Sequence, residues 1–316
     1  MITSTKQGGM RDAYGEALLE LGATNPRVVV LGADTTGSLK SGVFATKYPG
    51  RFFNVGIAEQ NLVGIAAGFA LTGKIPFAGT YAIFVPGKCV DQIRNNIAYP
   101  GLNVKIVCSH GGISVGPDGA SHQQVEDIAI MRAIPKMSVI VPCDAVSTKS
   151  IVKSIADIEG PFYVRLTRPS TPIVYGDGFE YRYGNANLLT DGSDVLIIGC
   201  GIMVPEAVKA STSLKMKGIS AAVVDLHTVK PVDPETILKL AQKCGRVVTA
   251  EEHNVIGGMG SAVAEVLSET RPTLMKRVGV MDTFGESGDA ADLMKKYGLT
   301  YSNIEAAAES LVRRSR

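Results

Sequence analysis

Short runs rich in Val and Ile recur along this chain, and segments with helical periodicity separate them. Residues 27–33, 103–108 and 138–141 are mostly apolar without strict alternation, which is typical of strands buried on both faces of a sheet. Segment 58–71 has apolar residues at helical spacing and predicts a helix with one buried stripe, and Asp144 predicts the N-cap of another helix. Strands that alternate with helices predict a parallel sheet covered by helices on both faces.

A segment rich in proline and glycine divides the chain into two such units. Residues 168–193 contain two prolines and four glycines, with little helical periodicity, which is typical of a connection between domains. We therefore expect two doubly wound α/β domains: a parallel-sheet domain over residues 1–170, a linker over 171–192, and a smaller domain over 193–316. In the smaller domain, the pattern predicts strands at 194–199, 220–225 and 246–250, and helices at 204–216, 234–242, 259–267, 290–297 and 302–313.

Charge and cysteine content exclude several classes of protein. The 32 basic and 30 acidic residues give a net charge of +2, which predicts no basic surface for nucleic acid or for a membrane. No stretch approaches the roughly 20 apolar residues of a membrane span, and the first ten residues hold no apolar core of signal-peptide length. The five cysteines stand singly, which predicts buried thiols in a reducing cytoplasm and no zinc site.

The densest cluster of polar residues and glycines is segment 109–122, Ser-His-Gly-Gly-Ile-Ser-Val-Gly-Pro-Asp-Gly-Ala-Ser-His. It follows the predicted strand 103–108, and ligands of parallel α/β sheets bind at the carboxyl ends of the strands. Its glycines allow a ligand to approach the backbone, and His110, Asp118 and His122 can bind hydroxyl groups and transfer protons near neutral pH. A glycine-rich structural loop is an equally good interpretation of the composition alone.

Two further segments carry candidate residues. Glu59 lies in segment 54–61 at the start of the predicted helix, where a carboxylate commonly stabilises the free N–H groups and the helix dipole. Tyr81 and Phe84 lie three residues apart in segment 79–87 and would share one face if that segment were helical, a spacing typical of core packing. Taken alone, each segment therefore favours a structural role.

Together and in this order, these segments resemble the C-terminal half of transketolase, from about Arg11 to the end of the chain. The resemblance covers the pyrimidine-binding domain and the smaller C-terminal domain of that family. Segment 109–122 is similar to the substrate loop, and segment 54–61 is similar to the segment that bears the cofactor-activating glutamate. The resemblance implies transfer of a two-carbon ketol unit from a ketose phosphate to an aldose phosphate, with thiamine diphosphate as cofactor.

The resemblance also implies roles for individual residues. Glu59 matches the glutamate that hydrogen-bonds the aminopyrimidine ring and promotes loss of the thiazolium C2 proton. Phe84 matches the aromatic residue that stacks on this ring, and Tyr81 and Asp34 match residues near the cofactor. A third aromatic of the family would fall at Gly87, so the pocket wall must differ there.

For the sugar substrates, the resemblance implies a second set of residues. His110 and Asp118 match residues that contact the hydroxyl groups of donor and acceptor, and His110 is expected to take part in catalysis. The positions that match the lining of the sugar-phosphate channel are Arg11, Ser38, His122 and Arg168.

The diphosphate-binding half of transketolase has no counterpart in these residues. Gly176-Asp-Gly178 is similar to the start of the diphosphate motif, but it lies in the predicted linker, and Asn185 and Asn187 follow too early to complete it. The resemblance therefore implies the second chain of a split enzyme, with no metal ligand of its own. Its partner chain would hold the diphosphate with Mg²⁺ or Ca²⁺, and two copies of each chain are expected.

Three alternatives share parts of this pattern. 1-Deoxyxylulose-5-phosphate synthase has a similar layout, but it is normally one chain and tends to lack the histidine at position 110. Beta subunits of 2-oxo acid dehydrogenases share the glutamate but generally not the run Gly-Pro-Asp-Gly-Ala-Ser-His that ends at His122. A non-catalytic binding subunit could keep the fold, although four candidate site residues speak against it: Glu59, His110, Asp118 and Arg168.

Overall fold

Two large sheets form the core of the protein in a computed structural model that describes residues 6–313. The ends of the predicted domains, residues 1–5 and 314–316, lie outside the described residues. Both sheets have parallel strands at their centre, which confirms the fold class expected from the alternating pattern. None of the helices in residues 6–313 has both the length and the apolar character that a membrane span requires.

The strands coincide with most of the predicted apolar runs. In chain order they are β1 Gln7–Gly8, β2 Val28–Gly32, β3 Phe52–Asn54, β4 Ile75–Gly79, β5 Lys105–Cys108, β6 Ser138–Ile140, β7 Phe162–Arg165, β8 Thr171–Pro172, β9 Asn187–Thr190, β10 Val195–Gly199, β11 Ala221–Asp225, β12 Thr228–Lys230, β13 Arg246–Asn254 and β14 Leu274–Val280. The runs predicted at 27–33, 103–108 and 138–141 form β2, β5 and β6, which confirms those predictions.

Helices lie between the strands. They are α1 Met10–Thr24, α2 Gly42–Lys47, α3 Glu59–Leu71, α4 Val85–Lys88, α5 Val90–Gln92, α6 Asp127–Ala133, α7 Ala145–Ile155, α8 Met203–Met216, α9 Pro234–Cys244, α10 Met259–Thr270, α11 Ala290–Lys296 and α12 Tyr301–Arg313. Short 3₁₀ segments lie at Pro49–Arg51 and Ile113–Asp118, and a π-helical turn lies at Ile93–Ala98. The predicted N-cap is confirmed, because Asp144 Oδ1 accepts a hydrogen bond from the Ser147 backbone N–H at 2.7 Å.

The first sheet has the strand order β12-β6-β7-β5-β4-β2-β3. Neighbouring strands are parallel except β12, which comes from the second half of the chain and pairs antiparallel with β6. In β2, Val28 and Val30 pack in the cluster of α1, α2 and α7, whereas Val29 and Leu31 pack in the cluster of α3 and α6. Burial on both faces explains why these strands are continuous apolar runs in the sequence.

The second sheet has the order β14-β13-β10-β11-β9, with β9 antiparallel to β11 at one edge. Helices α8 and α12 pack on one face of this sheet. Helices α9 and α10 pack on the other face and share a continuous apolar core with the α3 side of the first sheet. One core therefore joins the two halves of the chain.

Candidate active site

Strands of the first sheet end at one edge, and the following loops carry several of the predicted site residues. Asp34 follows β2, Tyr81 follows β4, His110 follows β5 and Arg168 follows β7. The backbone φ angles of Asp34 and His110 are 59° and 63°, so both loops leave their strands through a left-handed residue. Because these strands are parallel, the sheet brings four distant segments to the same edge.

Four predicted aromatic and histidine side chains contact one another there. The rings of Tyr81 and His110 stack with centroids 3.8 Å apart, and the Phe84 ring stacks against Tyr81 at 5.7 Å. The His122 ring lies edge-on to Phe84 at 5.4 Å. These contacts do not come from a shared helical face, because Tyr81 forms a β-bridge with Ser109 and α4 begins only at Val85.

Hydrogen bonds connect this stack to the two predicted arginines. The Tyr81 hydroxyl donates to Ser38 Oγ at 2.9 Å. Arg11 donates from Nη1 to the Ser38 carbonyl and from Nη2 to the Arg168 carbonyl, both at 2.9 Å. Arg168 in turn donates from Nη1 to the Val115 carbonyl of segment 109–122. Four of the predicted residues, from four loops or helices, thus form one continuous network.

His110 is neutral in this environment. Its side chain is buried, and its Nδ1 lies 2.7 Å from the Ser109 hydroxyl. Burial lowers the pKa of His110 to about 3, and the positive charges of Arg11 and Arg168 act in the same direction. At neutral pH the imidazole can therefore donate or accept a hydrogen bond, but it carries no charge.

Glu59 and Phe84 are linked by a residue that the sequence pattern did not single out. Glu59 is the first residue of α3 and is 6% exposed. Lys88 Nζ lies 3.3 Å from Glu59 Oε2 and 4.7 Å from the centroid of the Phe84 ring. A lone lysine is usually a solvated surface group, but the four-residue spacing from Phe84 to Lys88 was an available signal.

Two predicted carboxylates stand apart from this network. Asp34 is exposed, and its backbone N–H donates to Asn54 Oδ1 at 3.0 Å. Asp118 is exposed at the end of the 3₁₀ segment, and no hydrogen bond within residues 6–313 joins its side chain to the other predicted residues. In the same described range, no group of three or more His, Cys, Asp or Glu side chains could hold a metal ion.

The loop that carries His110 also contacts the second half of the chain. Glu252, in β13, accepts a hydrogen bond on Oε1 from the Ser114 backbone N–H at 2.5 Å. Gln123 Nε2 donates to the Glu286 carbonyl at 2.9 Å. Sequence reasoning missed these residues because Glu252 lies two residues beyond the strand predicted at 246–250, and Gln123 follows the loop that the polar cluster defined.

The fold and the site define a two-domain α/β protein whose candidate ligand site lies at the carboxyl edge of its first sheet. Residues 6–173 match the family model of the transketolase pyrimidine binding domain. Residues 184–304 match that of the transketolase C-terminal domain. The chain belongs to the transketolase family.

Several relatives are similar over nearly the whole chain. A protein of Methanocaldococcus jannaschii, named as a transketolase C-terminal section, is 50% identical over 94% of this chain and 94% of its own length. A 6-deoxy-6-sulfo-D-fructose transketolase subunit of Clostridium sp. is 43% identical over 96% of this chain and 95% of its own. One of the apulose-4-phosphate transketolase subunits of Phocaeicola vulgatus is 39% identical over 96% of this chain and 97% of its own.

Solved structures give the same result. A structure described as a split gene transketolase, inactive beta4 tetramer, has a TM-score of 0.90 and 48% identity and covers 98% of this chain and 100% of its own. Transketolase from Leishmania mexicana has a TM-score of 0.81 and 25% identity, covering 99% of this chain but 46% of its own. The chain therefore matches a whole split chain in one case and about half of a longer one in the other.

Proposed function

We propose that the chain is the C-terminal subunit of a thiamine diphosphate-dependent transketolase. It would transfer a two-carbon ketol unit from a ketose phosphate to an aldose phosphate, together with a partner chain that carries the diphosphate-binding domain. One observation carries this proposal: the stack of Tyr81, His110 and Phe84 joins a carboxylate to two arginines. Lys88 links the stack to Glu59, and Ser38 links it to Arg11 and, through Arg11, to Arg168.

The residues near Phe84 fit the pyrimidine end of thiamine diphosphate. The Lys88 ammonium group touches both the Phe84 ring and the Glu59 carboxylate, so this place favours a group that is electron-poor and donates hydrogen bonds. An aminopyrimidine ring has both properties. When bound, the cofactor supplies a carbon nucleophile for the ketose carbonyl. Glu59 would accept the hydrogen bond from the ring and stabilise its protonated form, and Phe84 would hold the plane of the ring.

The part of the network that includes His110 and the two arginines fits a sugar phosphate. With Nδ1 of His110 next to the Ser109 hydroxyl, Nε2 of this neutral imidazole would bind a substrate hydroxyl without competing for the phosphate. Arg11 and Arg168 lie together, and burial lowers the pKa of Arg11 with a contribution from the Arg168 charge. Two adjacent guanidinium groups bind a phosphate well because their planar N–H donors match its oxygens. Ser38 and His122 would complete the channel, and Asp34 and Asp118 would reach the substrate from its rim.

The proposal includes the assembly. Relatives of nearly equal length are named as C-terminal sections or subunits, which supports a partner chain holding the diphosphate with Mg²⁺ or Ca²⁺, in two copies of each chain. All five cysteines are free and buried, which fits a reducing cytoplasm.

Reconstitution tests this proposal. The chain would be co-expressed with a candidate partner that bears a Gly-Asp-Gly diphosphate motif, and a ketose phosphate would be supplied with an aldose phosphate, thiamine diphosphate and Mg²⁺. We expect turnover only in the complex, and none with either chain alone or with Glu59→Ala. Because the named substrates of two relatives are a sulfosugar and apulose-4-phosphate, the donor panel includes both. Turnover of pyruvate instead of a ketose would replace this proposal with a 1-deoxyxylulose-5-phosphate synthase or 2-oxo acid dehydrogenase activity.

A further inference from the structure

Two consecutive glutamates in β13 point to different partners, and both are buried. The Glu251 carboxylate accepts hydrogen bonds from the backbone N–H groups of Met259 and Gly260, at 2.7 and 2.8 Å, and so holds the start of α10. Glu252 points the other way, to the Ser114 backbone N–H of segment 109–122. One glutamate thus serves its own domain, and the other contacts the loop that carries His110.

The loop is shaped to receive the Glu252 carboxylate. Gly112 has a φ of 90°, and a Cβ there would lie 2.2 Å from the Glu252 carboxyl carbon. Only glycine leaves room for this contact and adopts this backbone conformation without strain. The other carboxylate oxygen, Glu252 Oε2, is buried and has no hydrogen-bond partner within residues 6–313. The contact with Ser114 therefore satisfies only one of the two oxygens.

Segment 109–122 and the adjacent Gln123 make further contacts with the second domain, at Ser287 and Glu286. Gly119 packs on the Ser287 side chain, where a Cβ would meet the hydroxyl at 2.5 Å. Gln123 Nε2 donates to the carbonyls of Ile113 and Glu286, at 3.2 and 2.9 Å, and so ties the loop to itself and to the second domain. The conformation of the loop therefore depends on groups that lie outside the first domain.

We propose that Glu252 is a positioning residue: through Ser114 and Gly112 it fixes the loop that presents His110 to the sugar, so that the C-terminal domain sets the geometry of the substrate site. Burial raises the pKa of Glu252, and the nearby Arg165 guanidinium acts against this shift. Arg165 also donates from Nη2 to the Glu252 carbonyl at 2.9 Å, which fixes the backbone at this residue. The catalytic consequence rests on the function proposed above, but the effect on the loop does not.

Hydrogen–deuterium exchange of the full chain tests the structural part without any activity. We expect Glu252→Ala to accelerate exchange of the protected amide in peptide 111–119 by roughly 10- to 150-fold, the range for losing a hydrogen bond to a charged group. Glu251→Ala is the matched control, because it removes an equally buried carboxylate from the same strand. It should accelerate exchange around 259–262 and leave peptide 111–119 unchanged.

Two conservative variants keep the test decisive if Glu252→Ala does not fold. Glu252→Asp retains the charge but withdraws the carboxylate by one methylene, so exchange in peptide 111–119 must still rise. Glu252→Gln keeps an acceptor oxygen at the same reach and should protect the loop nearly as well as glutamate. Equal exchange of peptide 111–119 in all variants, or an equal rise in Glu251→Ala, would overturn the proposal.

Kinetics of the reconstituted complex test the catalytic part. We expect Glu252→Ala to raise KM for the sugar acceptor by roughly 10-fold or more, to leave the Kd of thiamine diphosphate unchanged, and to be rescued largely by Glu252→Gln. A fall in kcat and stability that matches Glu251→Ala, with KM unchanged, would reduce Glu252 to a purely structural residue. If the wild-type complex has no transketolase activity, the proposed function fails, while the exchange experiment still decides whether Glu252 holds the loop.

Discussion

At the scale of single residues, Lys88 provides the positive charge that lies next to the Glu59 carboxylate. Its ammonium group lies within reach of both the Glu59 carboxylate and the Phe84 ring, the two groups that we assign to the pyrimidine ring of the cofactor. The Glu59 carboxylate and the Phe84 ring cannot fully contact both the lysine and a bound pyrimidine ring. The lysine side chain therefore has to withdraw when the pyrimidine ring binds. Lys88 is half exposed, so solvent is available to receive it.

The variant Lys88→Met should therefore bind the cofactor more tightly. A cation–π contact at an exposed site contributes about 0.5–1 kcal/mol, and an exposed ion pair contributes about 0–1 kcal/mol. We expect the Kd of thiamine diphosphate in the reconstituted complex to fall by about 2- to 30-fold, as measured by calorimetry. Lys47→Met, at an exposed position of α2, is the control and should have no effect. Weaker binding by Lys88→Met would instead make the lysine part of the cofactor site.

Glu59→Ala separates activation of the cofactor from capping of α3. If Glu59 activates the cofactor, proton exchange at the thiazolium C2 of the reconstituted complex should slow by about 10²–10⁴-fold, the usual effect of losing an acid–base group. Stability should change little, because within residues 6–313 the Glu59 carboxylate is hydrogen-bonded to the half-exposed Lys88 and to no backbone N–H of α3. A loss of stability near 1 kcal/mol with unchanged proton exchange would identify it as a helix-terminal residue only.

Arg168→Ala should affect phosphorylated sugars selectively. Arg168 lies beside Arg11 at the end of β7, and a hydrogen bond to a charged group contributes about 1.5–3 kcal/mol. We expect kcat/KM for an aldose phosphate to fall by about 10- to 150-fold, with a much smaller loss for the free aldose. Since Arg168 also donates to the Val115 carbonyl, Arg168→Lys provides a partial control for loop positioning. Equal losses on both sugars would assign the arginine to the loop and not to the phosphate.

At the scale of elements, the sequence predicted the strands with continuous apolar runs, but it did not predict β4. Pro76 lies inside β4, and a proline normally argues against a central strand because it has no N–H to donate. In the structure, Pro76 is in register with Val29 of β2, whereas the pairing with β5 involves only Phe77 and Ala78. The proline is therefore tolerated because it lies beyond the pairing with β5.

The sequence likewise predicted only part of the geometry of the candidate site. The spacing of Tyr81 and Phe84 would place them on one face only if segment 79–87 were helical, yet their contact arises from a β-bridge followed by a turn. The grouping of Arg11, Ser38 and Arg168 followed only from the resemblance, since no local pattern relates residues that distant in sequence. Nor could the bond between Glu252 and Ser114 be predicted, because these residues are 138 positions apart and only the packing of the two domains brings them together.

Strand β5 also contains an ionisable side chain whose titration can be followed. Lys105 is buried, and its Nζ donates to the carbonyls of Ile158 and Gly160 at 2.6 and 3.0 Å. Burial lowers the pKa of Lys105 from 10.5 to about 7. Between these values the unfolded chain binds more protons than the folded chain, so the contribution of Lys105 to the free energy of unfolding increases as the pH rises.

Urea unfolding of the wild type and of Lys105→Met at a series of pH values checks this sign. We expect the unfolding free energy of the wild type minus that of the variant to grow from about pH 7 towards pH 10. Subtracting the two unfolding free energies cancels the contribution from the titration of cysteines and tyrosines, because both proteins contain these residues. A difference that stays constant with pH would show that Lys105 keeps its usual pKa in the folded chain.

At the scale of the whole molecule, the two halves of the chain share a sheet and an apolar core. Strand β12 of the second half extends the first sheet, and a single apolar core joins the α3 side of that sheet to α9 and α10. The C-terminal domain therefore extends the first sheet through β12 and contacts segment 109–122 through Glu252. Under the proposed function, the chain itself would contribute little to cofactor binding: the aromatic ring of Phe84 and the carboxylate of Glu59.

This small contact set predicts weak binding of thiamine diphosphate by the chain alone. An aromatic stack contributes about 0.5–1.5 kcal/mol and a charge-assisted hydrogen bond about 1.5–3 kcal/mol. Even without any cost of association, their sum corresponds to a Kd near 1 mM or weaker. Calorimetry with thiamine diphosphate and Mg²⁺ should therefore detect no tight binding to the lone folded chain, and much tighter binding after the partner is added. Micromolar binding by the lone chain would mean that it holds the diphosphate itself, and the proposed division of the cofactor site between two chains would be wrong.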